Sequence, residues 1–584
     1  MNISLERNNR AIFLILALAV FMAYGNALFN GFVYDDGYLI VSNKFIKDFT
    51  YLDDLLLNDV ASVTPIGQPS AYYRPVSMVF LAIGYKIWGL NPFGLHLNNI
   101  LLHLANTLLV FILLKNIAQD QWIAFVSALL FAVHPIHVEA VTPIYNFMGL
   151  LATFFSLGAF LAFIKSDSLK NGKFLALAVL LFALALFSKE EALTLPLVFV
   201  LYDFYFISGF KFTHVLKKWK GYAWFVLAGG FYLLMRFFLF RRDIALGFWS
   251  LNEYFNILPA QNIVKHFFTI ILIFYNYLVL LVFPYNLCAF HMFAPVDSLW
   301  SKEVALSTFV VAGLMVIAFY AYRKKPLMSF FIVMFFISSF MISNIIPIRG
   351  LFAERFMYFP SISFCFLFGF IFAQAFKRYG EKSQSTIKRY AAVIGIGILV
   401  FYALQAAARN YAWRTDISLW EDTIKKTPQS SRAHVNLAEA YFNYGLFNDA
   451  LKEYGIALGL GAYQRPAIHN AVGRIYGDKK MYKEALREFE TAIREDSRFI
   501  EPYYYAGITH LYLGDLNSAS SYFEKAVRLD GKYALGYYGL GVVYEKRGDR
   551  ANAAQMYSKS LELNPTSKLA QASFVRVKQF YSAK

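Results

Sequence analysis

Apolar runs of membrane-spanning length recur through the first 409 residues and then stop. They lie near residues 11–29, 94–114, 122–141, 144–164, 174–188, 191–208, 221–240, 262–284, 303–322, 327–347, 356–376 and 390–408. A backbone exposed to lipid must satisfy its own hydrogen bonds, so these runs predict helices rather than loops or open strands. Composition agrees: only 16% of residues are charged, against about 25% in soluble domains. Beyond residue 410 the sequence turns polar and regular. The expected division is a multi-span membrane domain over 1–409, a linker and capping half-repeat over 410–430, and a repeat domain over 431–584.

The net charge of +17 is not gathered on one face, as a nucleic-acid footprint requires. It falls in short clusters between apolar runs: Arg7/Arg10, Lys115, Lys165/Lys170/Lys173, Lys211/Lys217/Lys218/Lys220, Arg323/Lys324/Lys325 and Lys377/Arg378/Lys382/Lys388/Arg389. Such clusters mark cytoplasmic loops, so membrane orientation is the preferred reading and no nucleic-acid partner is expected. The clusters alternate correctly if the 262–284 run, which carries Lys265, His266 and Asn276 and ends at Pro284, does not cross completely. Eleven crossings then place the C-terminal domain outside the cytoplasm; twelve would place it inside. No small-residue cleavage site follows the first run, which reads as an uncleaved span. Two cysteines, Cys288 and Cys365, offer neither a disulfide framework nor a cysteine-based metal site.

From Ser431 a period near 34 appears. Small residues at Ala438, Gly473, Gly507 and Gly541 are followed by Ala450, Ala485, Ala519 and Ala553, then by Tyr454, Phe489, Phe523 and Tyr557. Turn glycines stand at Gly445, Gly514 and Gly548. This is the tetratricopeptide pattern, four units long. Small residues let paired helices approach, and the aromatics are expected to fill the gaps between repeats. The stack offers a concave surface for a protein or peptide. The fold class is therefore all-α, a polytopic transmembrane bundle followed by a tetratricopeptide α-solenoid.

The long first external loop, roughly 30–93, opens with Asp35 and Asp36. Paired carboxylates at a membrane boundary can deprotonate a hydroxyl or hold a cation, or form a solvated turn. Segment YYRPVSMVFLAIGYKIWGLN (72–91) reads as helices lying along the outer surface. The same face collects Arg74, HPIHVEAV (His134, His137, Glu139), SKEEA (Lys189, Glu190, Glu191) and PIRGLFAERFMYFPS (Arg349, Glu354, Arg355, Tyr358). The opposite face carries mainly Lys and Arg. Acids, bases and imidazoles on one side point to an outward site for an anionic ligand. For His134, His137 and Glu139, hydrogen-bonded packing or substrate contact is preferred over a metal, because the spacing matches no standard zinc pattern. His291 and Asp297 share the outer face without a distinguishing motif.

In their order, FVYDD, YYRPVS, HLNNILLH, HPIHVEAV, SKEEALTLP and ERFMYFPS resemble C-type membrane glycosyltransferases. More closely, they resemble the transmembrane and tetratricopeptide-repeat-containing O-mannosyltransferase (TMTC) family and its bacterial relatives. That resemblance implies inverting transfer of a sugar from a polyprenyl-phosphate donor to an acceptor hydroxyl, on protein, outside the cytoplasm. It makes Asp35 the catalytic base and Asp36 a second acid or orienting group. Arg74, Lys189 and Arg355 become lipid-phosphate contacts, with His134, His137, Glu139, Glu190, Glu354 and Tyr358 completing the substrate site. Asn146 and Phe147 stand where animal members commonly carry an arginine or acid, so mannose is not assumed. No cofactor is firmly implied, though a divalent cation is compatible with the chemistry. A bacterial inner membrane is the preferred location, with the repeats extracytoplasmic and binding the acceptor. The competing reading is a non-enzymatic, membrane-anchored repeat scaffold for envelope assembly. A bare anchor needs only one span and no charged motifs gathered on one face.

Overall fold

The computed structural model of the protein describes residues 2–58, 60, 72–167, 169–239, 263–293, 296, 298–345, 351–382 and 385–579. Arg349 and Asp297 lie outside the described residues. The described residues contain helices and no strands. The chain divides into two units, Met1–Asp422 and Thr423–Lys584.

The first unit is an integral, multi-pass membrane bundle. Among the described residues, seven of its helices are long and apolar enough to cross a membrane, or eight if the bent pair at 121–141 is one span. Shorter apolar helices at 75–88, 172–188, 326–342 and 361–374 accompany them. Local chemistry sets the helix starts. Pro92, Pro75 and Pro326 occupy first-turn positions, where a missing N–H costs nothing. Asp120 caps the 121–133 helix by accepting from Trp122 N and Ile123 N.

The two ends of this bundle differ. One end gathers the segments around Tyr24–Asp36, His134–Asn146, Lys189–Thr194, Phe340–Ile342, Glu354–Tyr358 and Asn410–Asp416. Short 3₁₀ turns interrupt the helices there, at Pro135–His137, Ile144–Asn146, Glu190–Thr194, Phe340–Ile342, Glu354–Met357 and Tyr411–Trp413. Irregular backbone exposes carbonyls that need partners, and buried asparagines supply them. Asn99 Nδ2 donates to the carbonyls of Val141, Pro143 and Ile144. Asn410 Nδ2 donates to Ala23 O, and Asn30 Nδ2 to Asn410 O. The other end collects basic residues. Lys115 reaches Asn9 Oδ1 at 3.2 Å, Lys218 pairs with Asp203 at 2.6 Å, and Phe210 packs on Tyr322 beside Arg323.

Among the described residues, the helices of this unit include Asn2–Tyr24, Pro92–Ala118, Gln121–Val133, Phe147–Lys165, Gly172–Ser188, Leu195–Tyr202, Trp219–Leu239, Lys302–Ala321, Pro326–Ser338, Ser361–Lys382 and Ser385–Asn410. The helix Ile263–Val282 is different. It is long and apolar enough to cross, yet both of its ends are tied to the irregular end of the bundle. His266 Nε2 meets Asn344 O at 3.1 Å near its start. Tyr402 donates to Val282 O at 2.8 Å at its finish, and Gln405 donates to Pro284 O. The 72–91 segment forms one helix, Pro75–Trp88, whose Ser77, Met78 and Leu81 are buried in the bundle.

The second unit is a ladder of helix pairs, 431–443 with 447–459, 465–478 with 482–495, 501–513 with 516–529, and 534–546 with 550–563, followed by 568–579. The aromatics pack first within their own pair. A Cβ on Gly473, Gly507 or Gly541 would lie 2.6, 2.7 and 2.6 Å from Phe489, Phe523 and Tyr557. Phe523 also lies against Gly539 of the following pair, so filling the gap between repeats is only part of its work. The turn series has no glycine in the second helix pair, 465–478 with 482–495. Lys480 takes that place with φ 61°, beside φ 75°, 80° and 83° at Gly445, Gly514 and Gly548. The left-handed turn is therefore kept at a steric cost that glycine avoids.

Candidate functional site

The irregular end of the bundle brings most of the singled-out residues together. Asp35 and Asp36 sit on the turn that leaves the first helix, and they behave differently. Asp36 is fully buried. Its two oxygens accept from Val33 N at 3.1 Å and Tyr145 N at 2.8 Å. Burial pushes its carboxyl up to about 8, against the pull of those two N–H donors and with a further push from the Asp35 and Asp416 charges. Asp36 thus fixes the turn. Asp35 is half-buried and accepts from the Tyr38 hydroxyl.

Arg355 lies close enough for its charge to act on Asp35, Tyr34 and Tyr145. It is held by Glu139, itself only 1% exposed. Arg355 N donates to Glu139 Oε2 at 2.9 Å, and its guanidinium donates to Oε1. Glu139 therefore serves as an anchor, reached through the 138–141 turn beyond His137. The Phe356 ring carries Arg355 on one side, at 5.3 Å, and Lys189 at 5.7 Å. Lys189 pairs with Glu191 at 2.6 Å. Glu191 and Phe356 both line a small cleft that runs beside Gly149, Thr153 and Ser156 toward Ile342 and Phe359.

Arg74 stands at the start of the Pro75–Trp88 helix. It grips Glu190 with two hydrogen bonds, 2.6 and 3.0 Å long, and stacks on Tyr72 at 4.6 Å. Burial alone would raise the Glu190 carboxyl, but Arg74's charge and hydrogen bonds outweigh it and hold the group down at about 2. The adjacent glutamates of SKEEA thus serve two different cations.

His134, His137 and Tyr358 form a buried layer under this surface. His134 Nε2 meets Leu281 O at 2.9 Å, and its Nδ1 accepts from Ile136 N. His137 meets Phe131 O at 3.0 Å and Ser361 Oγ at 2.8 Å. Tyr358 meets His103 Nδ1 at 2.7 Å. Every imidazole nitrogen of His134 and His137 is engaged, and neither ring converges with Glu139 on a common point, so the layer acts as framework.

Glu354 parts company with Arg355. Its carboxylate is fully buried, accepts from Cys288 N at 2.6 Å, and meets His291 Nε2 at 2.8 Å. Burial would lower the His291 imidazole. Hydrogen bonds to Cys288 and Glu354, reinforced by their charges, raise it to about 10. Arg409 Nε lies 3.9 Å from Glu354 Oε2 and pairs with Asp422 at 2.9 Å.

Tyr38, Asp416, Arg409 and Cys288 carry no motif signal. The buried layer does carry one: His96, Asn99, His103 and Asn106 recur at helical spacing along one face of an apolar helix, which marks a functional or framework stripe inside a membrane.

A polytopic bundle with acids and bases gathered at one end, joined to tetratricopeptide repeats, defines the class. The sequence profile described as dolichyl-phosphate-mannose-protein mannosyltransferase matches residues 68–237, and a tetratricopeptide profile matches 504–568. The chain is 27% identical to protein O-mannosyl-transferase Tmtc3 of Drosophila melanogaster, over 83% of this chain and 59% of that one. It is 28% identical to protein O-mannosyl-transferase F38B6.6 of Caenorhabditis elegans, over 77% and 63%. With TMTC3 of Mus musculus it shares 26% identity, over 83% and 55%. The chain is similar to these O-mannosyl-transferases over most of its own length, and it spans about three-fifths of theirs.

Proposed function

We propose that this protein is a membrane glycosyltransferase that moves a sugar from a polyprenyl-phosphate donor to an acceptor hydroxyl, on protein, at the extracytoplasmic face. The observation that carries this reading is the half-buried Asp35 beside Arg355, with Arg355 and Lys189 both at the Phe356 ring, which lines a small cleft of mixed polarity. Asp35 accepts the acceptor's hydroxyl proton as the oxygen bonds to the anomeric carbon. The bond from that carbon to the phosphate oxygen breaks, and the polyprenyl phosphate leaves with the electron pair. Fixed cations at the leaving group lower the barrier because they are in place before charge develops. Arg355 and Lys189 fill that role, while Glu139 and Glu191 hold them when no donor is bound. Arg74 is the third phosphate candidate; its tight pair with Glu190 gives it a positioning role for the 75–88 helix. His134, His137 and Tyr358 support the surface from below, and Asp36 sets Asp35.

The basic end of the bundle fits the cytoplasmic side. Eleven passes, with Ile263–Val282 returning to its own side, then bring residues 410–422 out at the Asp35 end. Contacts of this segment with the first loop support the same placement: Arg414 O accepts from Gly31 N at 3.1 Å, and Asp416 accepts from Tyr34 N at 2.6 Å. The repeats that follow present the acceptor protein on that side.

Purified full-length protein incubated with a panel of radiolabelled polyprenyl-phosphate sugars tests the reading. Consumption of one donor, with label moving to protein or water, is expected. Indifference to every donor, with unimpaired capture of an envelope partner through the repeats, would leave the anchored scaffold standing instead.

A further inference from the structure

We infer that Cys288, His291 and Glu354 form a binding site for one zinc-class divalent ion at the outer end of the bundle. The three residues come from two segments that meet there. Cys288 and His291 are three positions apart in the segment following Ile263–Val282, a spacing that lets one turn present a thiolate and an imidazole to the same point. Glu354 arrives from the 3₁₀ turn Glu354–Met357. One ligand atom from each lies within 4.8 Å of the other two. Mixed sulfur, nitrogen and oxygen donors select a borderline ion such as Zn²⁺ over Mg²⁺ or Ca²⁺.

Burial and charge support the assignment. Cys288 and Glu354 are buried, and Glu354 Oε2 accepts no hydrogen bond although it is sealed from solvent. An orphan carboxylate oxygen is costly unless something positive meets it. Arg409 Nε stands 3.9 Å away, in ion-pair range but too far to hydrogen-bond, while Nη1 of the same side chain pairs with Asp422. A divalent ion balances one thiolate and one carboxylate, and the Arg409–Asp422 pair balances itself. The His291 side chain is 18% exposed and is the one ligand of the three in reach of solvent, from which a water would come as fourth ligand. Without the ion, His291 Nε2 donates its proton to Glu354; binding displaces that proton and the thiol proton into solvent. The ion would pin the 283–293 segment to the turn carrying Arg355, one residue from Glu354, and so fix a phosphate-binding cation from behind.

The test uses tag-free, full-length protein in detergent, loaded with Zn²⁺ or Co²⁺, desalted, and analysed for metal. About one ion per chain is expected, together with the near-ultraviolet thiolate-to-cobalt charge-transfer band in the Co²⁺ form. Cys288→Ser should abolish the band and His291→Ala should lower occupancy at least tenfold, whereas Cys365→Ser should keep both. The wild-type cobalt spectrum decides the matter even where a variant folds poorly. Absence of a charge-transfer band in wild-type protein, or its persistence in Cys288→Ser, overturns the site. Donor consumption by wild-type protein is scored separately, so failure of the metal site and failure of the transferase reading remain distinct.

Discussion

The two units bury different kinds of residue. The repeats bury alanines, glycines and single aromatics, such as Ala485, Ala519, Phe489, Phe523 and Tyr557. The membrane unit buries those classes too, but at one end it also buries Asp36, Glu139, Glu354, His96, His103, His134, His137, Asn99 and Asn410. Burying ionisable groups costs several kcal/mol each unless they are paired, and most of these groups gather at that end, with Asp203 buried at the other end and His434 in the repeats. A unit whose interior is only packing can bind at its surface. A unit that concentrates paired charges in one place is built to hold charge there, and the contrast fits the proposed division of chemistry in the first unit and recognition in the second.

Removing a charge from the polar end should hurt most. Arg355→Ala strands Glu139, which is 1% exposed, and should cost roughly 3 kcal/mol of stability as well as donor turnover; a thermal melt unchanged from wild type would contradict the pairing. In the repeats the damage should come from crowding. Gly507→Val places a Cβ 2.7 Å from the Phe523 ring and should cost about 1–3 kcal/mol. Protein acceptors should be lost from the variant before turnover of a small soluble acceptor is. Equal loss of both would erase the division of labour.

A pH series sharpens the contrast further. Asp36 titrates near 8 when folded, against 3.8 ordinarily, so the folded protein holds this proton more tightly than the unfolded chain. Its contribution to stability is therefore greatest at low pH, declines from about pH 4 to about pH 8, and is flat above that. Asp36→Asn should lack this decline, so the stability difference between wild type and variant should change between about pH 4 and about pH 8. A difference that does not change with pH would show that Asp36 is ionised throughout. The smallest effect belongs to Lys480→Gly, which frees a left-handed turn at φ 61° and should stabilise the repeats by about 1 kcal/mol. Chemical denaturation of the full chain, read on the repeat transition, measures it.

The same contrast governs what could be read from the sequence. In the repeats each contact lies between residues a fixed distance apart, so Gly473 and Phe489, or Gly507 and Phe523, announce themselves by period. Only the direction of the aromatics needed coordinates. The membrane helices are equally legible from hydropathy, Ile263–Val282 among them. The polar end is another matter. Glu139 meets Arg355 across 216 positions, Arg74 meets Glu190 across 116, and Tyr34 meets Asp416 across 382. No periodicity encodes such pairs. Adjacent residues also separate: Asp36 turns inward while Asp35 reaches Tyr38, and Glu354 turns to Cys288 and His291 while Arg355 turns to Glu139. Sequence identifies the end of the molecule where chemistry gathers; the partition of roles within it follows from the fold.

The central claim is that Asp35 is the proton acceptor of an outward glycosyl transfer. Its most direct test is single-turnover transfer of labelled sugar from the consumed polyprenyl-phosphate donor to a hydroxyl acceptor, comparing wild type with Asp35→Asn at matched membrane insertion. The account predicts a fall of about 10²–10⁴-fold in the variant, with donor binding retained. Transfer by Asp35→Asn at the wild-type rate would contradict it.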